Sequence, residues 1–112
     1  MAIGRDFSEL TEKIGYSFSD PTYLENALTH ASYSNEYKSR GLNLPSNERL
    51  EFLGDAVLQI MVSEYLYDNF SDLNEGKLTV MRQQLVCERN LAKIAKSISL
   101  GDYIHLGRGE EY

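Results

Sequence analysis

The chain has 112 residues and a mass of 12.8 kDa, with 11 basic and 17 acidic side chains and a net charge of −6. This length fits one domain, and the acidic balance argues against a simple cationic nucleic-acid binder. No run approaches the roughly 18 apolar residues of a membrane span, and no long apolar stretch follows Met1, which argues against a signal peptide. The single cysteine, Cys87, excludes a disulfide within these residues and a cysteine-based zinc site, and it fits a reducing cytoplasm.

Apolar residues recur at helical spacing along most of the chain and predict five helices. These run from Asp6 or Ser8 to Ile14, from Asp20 to Ala31, from Ser46 or Asn47 to Phe70, from Asn74 to about Val86, and from Arg89 to Gly101. The polar stretch 32–46 contains Gly41 and Pro45 and is predicted to be a loop. The tail from Tyr103 has no periodicity. Because no segment alternates as a strand does, the sequence predicts an all-α fold.

Three acidic residues of the third helix, Glu48, Glu51 and Asp55, project from one stripe. Asp55 lies about 40° around the helix and about 6 Å along it from Glu51, and Glu48 lies about 20° from Asp55. Two interpretations stay open. Acidic residues near a helix start favour the helix dipole as a solvated face, whereas a cation between Glu51 and Asp55 would turn their repulsion, roughly 0.2–0.5 kcal/mol per pair, into ligation. Gly54 costs about 1 kcal/mol relative to alanine, which indicates close packing against the helix at this point.

The same helix carries a broad apolar face, which predicts burial on more than one side. Its members are Leu50, Leu53, Val57, Ile60 and Met61. Cys87 is expected to be a small core residue, since no flanking histidine supports a nucleophile.

Three further polar side chains have separate interpretations. His30 is expected to cap a helix or to be buried for structural reasons. His105 has no partner at a ligand-like spacing. Arg108 stands between Gly107 and Gly109, whose adaptable backbone makes this arginine a candidate for contact with a phosphate.

Residues 47–58 read NERLEFLGDAVL and resemble the signature of the ribonuclease III family at twelve consecutive positions. Residues 28–32, 74–78 and 100–111 resemble further segments of its bacterial members, so the resemblance covers nearly the whole chain. It implies an all-helical, homodimeric endonuclease of the cytoplasm that cuts double-stranded RNA, including rRNA and mRNA precursors. It also implies Mg²⁺ as the cofactor, which Mn²⁺ can replace, and no organic cofactor.

The resemblance implies a role for several residues of this chain. Glu51 and Asp55 match metal-binding catalytic carboxylates. Glu48 and Glu75 match acidic residues that line the cleft outside the innermost metal shell. Phe52 matches an aromatic residue that inserts into a socket on the other subunit of the homodimer, so dimerisation is expected through the signature helix.

The chain departs from the family pattern in one important respect. The family has a second acidic pair, an aspartate followed three residues later by a glutamate, on a helix after the glycine-rich loop, and no such pair occurs in a helical context here. The double-stranded-RNA-binding domain is also absent from these 112 residues. We therefore expect residues 1–112 to be the N-terminal portion of a nuclease domain, to expose apolar surface, and to cut poorly alone. The alternative is a non-catalytic module that dimerises or holds RNA.

Overall fold

The computed structural model describes residues 6–110. Residues 1–5, which include most of the N-terminal stretch that argues against a signal peptide, lie outside the described residues, as do Glu111 and Tyr112. The described chain forms α1 (Ser8–Ile14), α2 (Pro21–Ala27), α3 (Ala31–Lys38), α4 (Glu48–Asn69), α5 (Glu75–Val86), α6 (Glu88–Ser97) and two 3₁₀ turns, Leu100–Tyr103 and Arg108–Glu110. Over residues 6–110 there is no strand, only an isolated bridge between Thr29 and His105. The predicted all-α class is confirmed. None of the helices in this range is both long and apolar enough to cross a membrane.

The end of α1 and the start of α2 follow local sequence signals, as predicted, whereas the predicted end of the second helix at Ala31 is wrong, because α2 ends at Ala27 and Ala31 begins α3. Gly15 adopts the left-handed conformation, with φ of 70°, and ends α1. At the start of α2, the Asp20 carboxylate accepts a hydrogen bond from the Thr22 backbone N–H at 3.0 Å, with Pro21 at the first helical position. These local signals set where α1 ends and where α2 begins.

The predicted loop at 32–46 is wrong in its first half, because α3 occupies residues Ala31–Lys38. His30 Nδ1 accepts a hydrogen bond from the Ser32 backbone N–H at 3.1 Å, which confirms the capping interpretation of this histidine. One turn apart on α3, the rings of Tyr33 and Tyr37 pack with centroids 4.7 Å apart. A cap and aromatic packing therefore stabilise a helix whose sequence has no apolar periodicity.

The hydrophobic core is small and lies where α1 and α2 meet the end of α6. Leu10, Leu24 and Leu28 are its buried centre. Partly buried apolar residues surround them: Phe7, Phe18, Ile98, Leu100, Tyr103 and Ile104. Leu66 is buried separately on α4, the helix with which α5 makes its main contact.

The prediction that the broad apolar face of α4 is buried is wrong for the described residues. Most of its members are largely exposed: Leu53 (59%), Val57 (47%), Ile60 (70%) and Met61 (63%). The physical reason is that no element within residues 6–110 covers this side of α4. A Cβ added to Gly54 would likewise meet nothing described within 4 Å. Cys87 is exposed between α5 and α6 rather than in the core.

Candidate metal centre and RNA-facing surface

The start of α4 is anchored to the end of α2 by side-chain amides. The Asn47 backbone N–H donates to the Thr29 carbonyl at 2.8 Å, and its side-chain amide donates to the Ala27 carbonyl at 3.1 Å. The Asn26 side chain, on α2, donates to the Ser46 carbonyl at 2.8 Å. These bonds fix the position of the first turn of α4, from which the acidic stripe begins.

Glu48 is engaged locally at this helix start. Because the Asn47 side chain is directed to α2, it does not cap α4. The Ser46 side chain binds the start of α4 instead. Its hydroxyl accepts a hydrogen bond from the Glu48 backbone N–H at 3.4 Å and donates one to the Glu48 carboxylate at 3.0 Å. The Glu48 carboxylate therefore has a local partner.

Glu51 and Asp55 are both exposed, one turn apart on α4. Asp55 lies within about 20° of the buried Leu66 around the helix, so the acidic stripe is on the side of α4 that carries this buried residue. Within residues 6–110, neither carboxylate has a salt bridge, and no group of three or more metal-ligating side chains converges. Two neighbouring carboxylates fit Mg²⁺, which commonly takes one or two from a protein and keeps several waters.

Glu75 does not join this pair. It is the first residue of α5, where the Asn74 side chain caps the helix by accepting from Lys77 N–H at 3.0 Å. Glu75 lines an open groove between α4 and α5 together with Ser63. The α4 residues of this groove, Ser63 to Tyr67, belong to the C-terminal half of the helix, whereas Glu51 lies in its first turn.

Phe52 is the most exposed of the large apolar side chains within the described residues, with 84% of its surface accessible. It borders an open cavity of about 760 Å³ at the start of α4, whose wall also includes Asn26, Arg49 and Leu50. An exposed aromatic ring beside an open cavity is a costly arrangement in water, and it is suited to contact with another surface.

His105 anchors the segment that follows α6 to α2 and α3, a role that the sequence did not predict. His105 is only 6% exposed, and its Nε2 lies 2.6 Å from the Glu25 carboxylate on α2. Its ring stacks on Tyr33 with centroids 4.8 Å apart. The His105 backbone N–H donates to the Leu28 carbonyl at 2.7 Å, and its carbonyl accepts from His30 N–H at 3.0 Å. No sequence signal joins partners 80 residues apart, so only the structure could show this contact.

The same segment carries Arg108 against α3. The Gly107 backbone N–H donates to the Ser32 hydroxyl at 2.9 Å, and the Arg108 backbone N–H donates to the Glu36 carboxylate at 2.9 Å. The backbone here is therefore held in place, and the prediction that it is adaptable around Arg108 is wrong. The arginine itself is exposed to solvent.

Comparison with known proteins identifies the family. A family model described as Ribonuclease-III-like matches residues 20–112. The chain belongs to the ribonuclease-III-like family. Ribonuclease 3 of Enterococcus faecalis is 56% identical over 104 residues, covering 93% of this chain and 44% of that protein. Ribonuclease 3 of Clostridium botulinum is 46% identical over 105 residues, covering 94% of this chain and 44% of that protein. The chain thus spans less than half the length of these ribonuclease III relatives.

Solved structures confirm the ribonuclease III fold. The nuclease domain of ribonuclease III from Campylobacter jejuni superposes with a TM-score of 0.82 and is 42% identical. The match covers 94% of this chain and 68% of that one. That structure concerns structural flexibility in a region of the Campylobacter domain involved in dimer formation.

Proposed function

We propose that this chain is the N-terminal portion of the nuclease domain of a metal-dependent endoribonuclease that hydrolyses phosphodiesters of double-stranded RNA. The observation that carries the proposal is the pair of exposed carboxylates on α4, Glu51 and Asp55, in a chain of the ribonuclease-III-like family. We place this activity in the cytoplasm, where it would process rRNA and mRNA precursors.

Glu51 and Asp55 would hold Mg²⁺, with Mn²⁺ as a functional replacement. A divalent ion in such a site polarises a phosphoryl oxygen and lowers the pKa of bound water. The chain orients the two carboxylates, because hydrogen bonds from Asn47 to the carbonyls of Ala27, the last residue of α2, and of Thr29 fix the start of α4. Glu48 and Glu75 would line the cleft outside this pair, and residues beyond this chain would supply the second acidic pair.

Duplex RNA is a substrate that a helical surface with exposed acidic and basic side chains can bind. It is recognised mainly by shape, phosphates and 2′-hydroxyl groups, so the protein needs no base-reading element. Arg108, exposed on a docked turn, would contact a phosphate. Its guanidinium can bind such an oxyanion through two parallel hydrogen bonds.

We also propose that the chain works as a homodimer formed through α4. Phe52 would insert into the other subunit, and its 84% exposure beside an open cavity supports this role. The apolar side chains exposed along α4 would supply further contact area.

The exposed face of α4 also favours the second candidate, a non-catalytic module that dimerises or holds RNA. Such a module needs Phe52 and the apolar residues but has no need of an acidic pair. The two candidates therefore differ in whether Glu51 and Asp55 bind a divalent ion.

Manganese binding tests the proposed site directly. Free Mn²⁺ has a six-line electron paramagnetic resonance spectrum that weakens when the ion is bound. We expect Asp55→Asn to lower the Mn²⁺ affinity of the chain about tenfold or more, because one of two carboxylate ligands is lost. Asp68→Asn is the matched control, since Asp68 is an exposed aspartate on the last turn of the same helix. Equal titration curves for the parent and Asp55→Asn would refute the assignment.

A further inference from the structure

One carboxylate joins α3 to the second 3₁₀ turn. Glu36 Oε2 accepts a hydrogen bond from the Arg108 backbone N–H at 2.9 Å, and Glu36 Oε1 lies 3.8 Å from Arg40 Nη2. The backbone nitrogen of Arg108 and the guanidinium of Arg40 therefore lie within about 9 Å of each other. The sequence places these two arginines 68 residues apart, so α3 and this contact bring them together.

Arg40 is also held from a second direction. Its guanidinium lies over the Tyr37 ring, 5.2 Å from the ring centroid. Tyr37 packs against Tyr33, which in turn stacks on the buried His105. A guanidinium that stacks on an aromatic ring and faces a carboxylate has lost part of its conformational freedom before it meets a ligand.

Two arginines and Glu36 meet here, on a chain whose net charge is −6. Glu110 lies in the same 3₁₀ turn as Arg108, so this cluster is suited to a phosphate by the chemistry of its guanidinium groups and not by an excess of positive charge. Guanidinium groups present forked donors that match phosphate oxygens. The Arg40 guanidinium is held beside the backbone of Arg108, whose own guanidinium is exposed and free to reach a second phosphate of the same strand.

We propose that Arg40 and Arg108 together contact the phosphate backbone of duplex RNA, and that Glu36 is the positioning residue that holds the Arg40 guanidinium beside the backbone of Arg108. This inference rests on the proposed function, and it adds α3 to the RNA-binding surface.

Binding of a blunt RNA duplex of about 30 base pairs, measured in EDTA at several salt concentrations, tests the contact. Each phosphate contact contributes about 0.9 to the slope of log affinity against log salt. Arg40→Ala and Arg108→Ala should each lower the slope by about this amount and weaken binding several-fold. Arg89→Ala is the matched control, because Arg89 is an exposed arginine on α6 without a described salt bridge, and it should match the parent.

Two variants of Glu36 distinguish a positioning role of this residue from a purely electrostatic effect of its negative charge. Glu36→Ala removes a negative charge, so a purely electrostatic role predicts tighter binding of RNA. The positioning role predicts weaker binding instead. It also predicts recovery in Glu36→Gln, whose amide oxygen can still accept from Arg108 N–H.

Three outcomes would overturn this inference while leaving the proposed metal-dependent cleavage of duplex RNA intact, although parent-like binding by Arg108→Ala would also remove the phosphate contact proposed for Arg108. They are parent-like binding by Arg40→Ala or Arg108→Ala, binding by Glu36→Ala at least as tight as that of the parent, and no recovery in Glu36→Gln. Absence of any duplex binding by the unaltered chain would overturn the inference together with the proposed RNA substrate.

Discussion

Gly107 shows at the scale of one residue how closely the C-terminal segment approaches α3. A Cβ at this position would lie 2.8 Å from the Ser32 carbonyl oxygen and 2.9 Å from its carbonyl carbon. Both are backbone atoms, which cannot move aside as the end of a flexible side chain can. The absence of a side chain at Gly107 is therefore a condition for docking Arg108 on Glu36.

Gly107→Ala should destabilise the fold by about 1–3 kcal/mol, the usual cost of overpacking. Thermal unfolding followed by circular dichroism measures this loss. Gly109→Ala is the control, since a Cβ at Gly109 meets nothing described within 4 Å. An unchanged melting temperature for Gly107→Ala would show that the segment is not held as the structure indicates.

Residues whose roles depend on neighbours in sequence could be predicted, and those that depend on distant contacts could not. The capping role of His30 could be inferred because its partner, Ser32, is two residues away. The pairing of His105 with Glu25 could not, because the bridge between Thr29 and His105 brings them together across 80 residues. The exposure of Cys87 is likewise set by what packs around the junction of α5 and α6.

At the scale of elements, helix boundaries with explicit capping signals were predictable. Asp20-Pro21 and Gly15 mark α2 and α1 where the structure has them. By contrast, α3 was missed because it has no apolar periodicity and is stabilised by a histidine cap and a tyrosine pair. The burial of one face of α4 was overestimated, since periodicity shows that a face is apolar but not what covers it.

The cap of α2 should make this helix sensitive to acid. Hydrogen bonds from the Thr22 hydroxyl and backbone N–H hold the pKa of Asp20 below its ordinary value of 3.8. Because the folded-state pKa is the lower one, the stabilisation is complete above the unfolded-state pKa and is lost as pH falls through the folded-state pKa. The melting temperature of the parent should therefore fall further in acid than that of Asp20→Asn, whose amide caps without titrating.

Melting temperatures from about pH 6 to about pH 2 measure this difference, because the window brackets the carboxyl pKa values. The two proteins should respond alike near neutrality and diverge below about pH 4. Parallel curves over the whole range would contradict a stabilising role for the ionised cap.

At the scale of the whole molecule, the described part of the chain is elongated, with principal extents of 56 × 26 × 25 Å and a radius of gyration of 16.8 Å. A compact domain of this length has a radius of gyration of about 13 Å. The long helix α4 carries exposed apolar residues, and the chain spans 44% of ribonuclease 3 from Enterococcus faecalis. These features together favour association through α4.

Phe52→Ala should weaken self-association of the chain, because its ring is the most exposed large apolar side chain among the described residues. Sedimentation equilibrium measures the dimer constant. Tyr67→Ala serves as the control, since Tyr67 lies near the other end of α4 and is 74% exposed. If both variants dimerise as the parent does, the proposed insertion of Phe52 is wrong.

The most direct test is cleavage of a long RNA duplex in Mg²⁺ and in EDTA. We would compare the 112-residue chain with the same chain extended by the C-terminal part of ribonuclease 3 from Enterococcus faecalis. We expect little cleavage by the short chain and Mg²⁺-dependent cleavage by the extended one. That cleavage should be lost in Asp55→Asn and retained in Asp68→Asn, with duplex binding unchanged in both. Cleavage by the extended Asp55→Asn chain at the parent rate would contradict the central claim that α4 supplies half of the metal site.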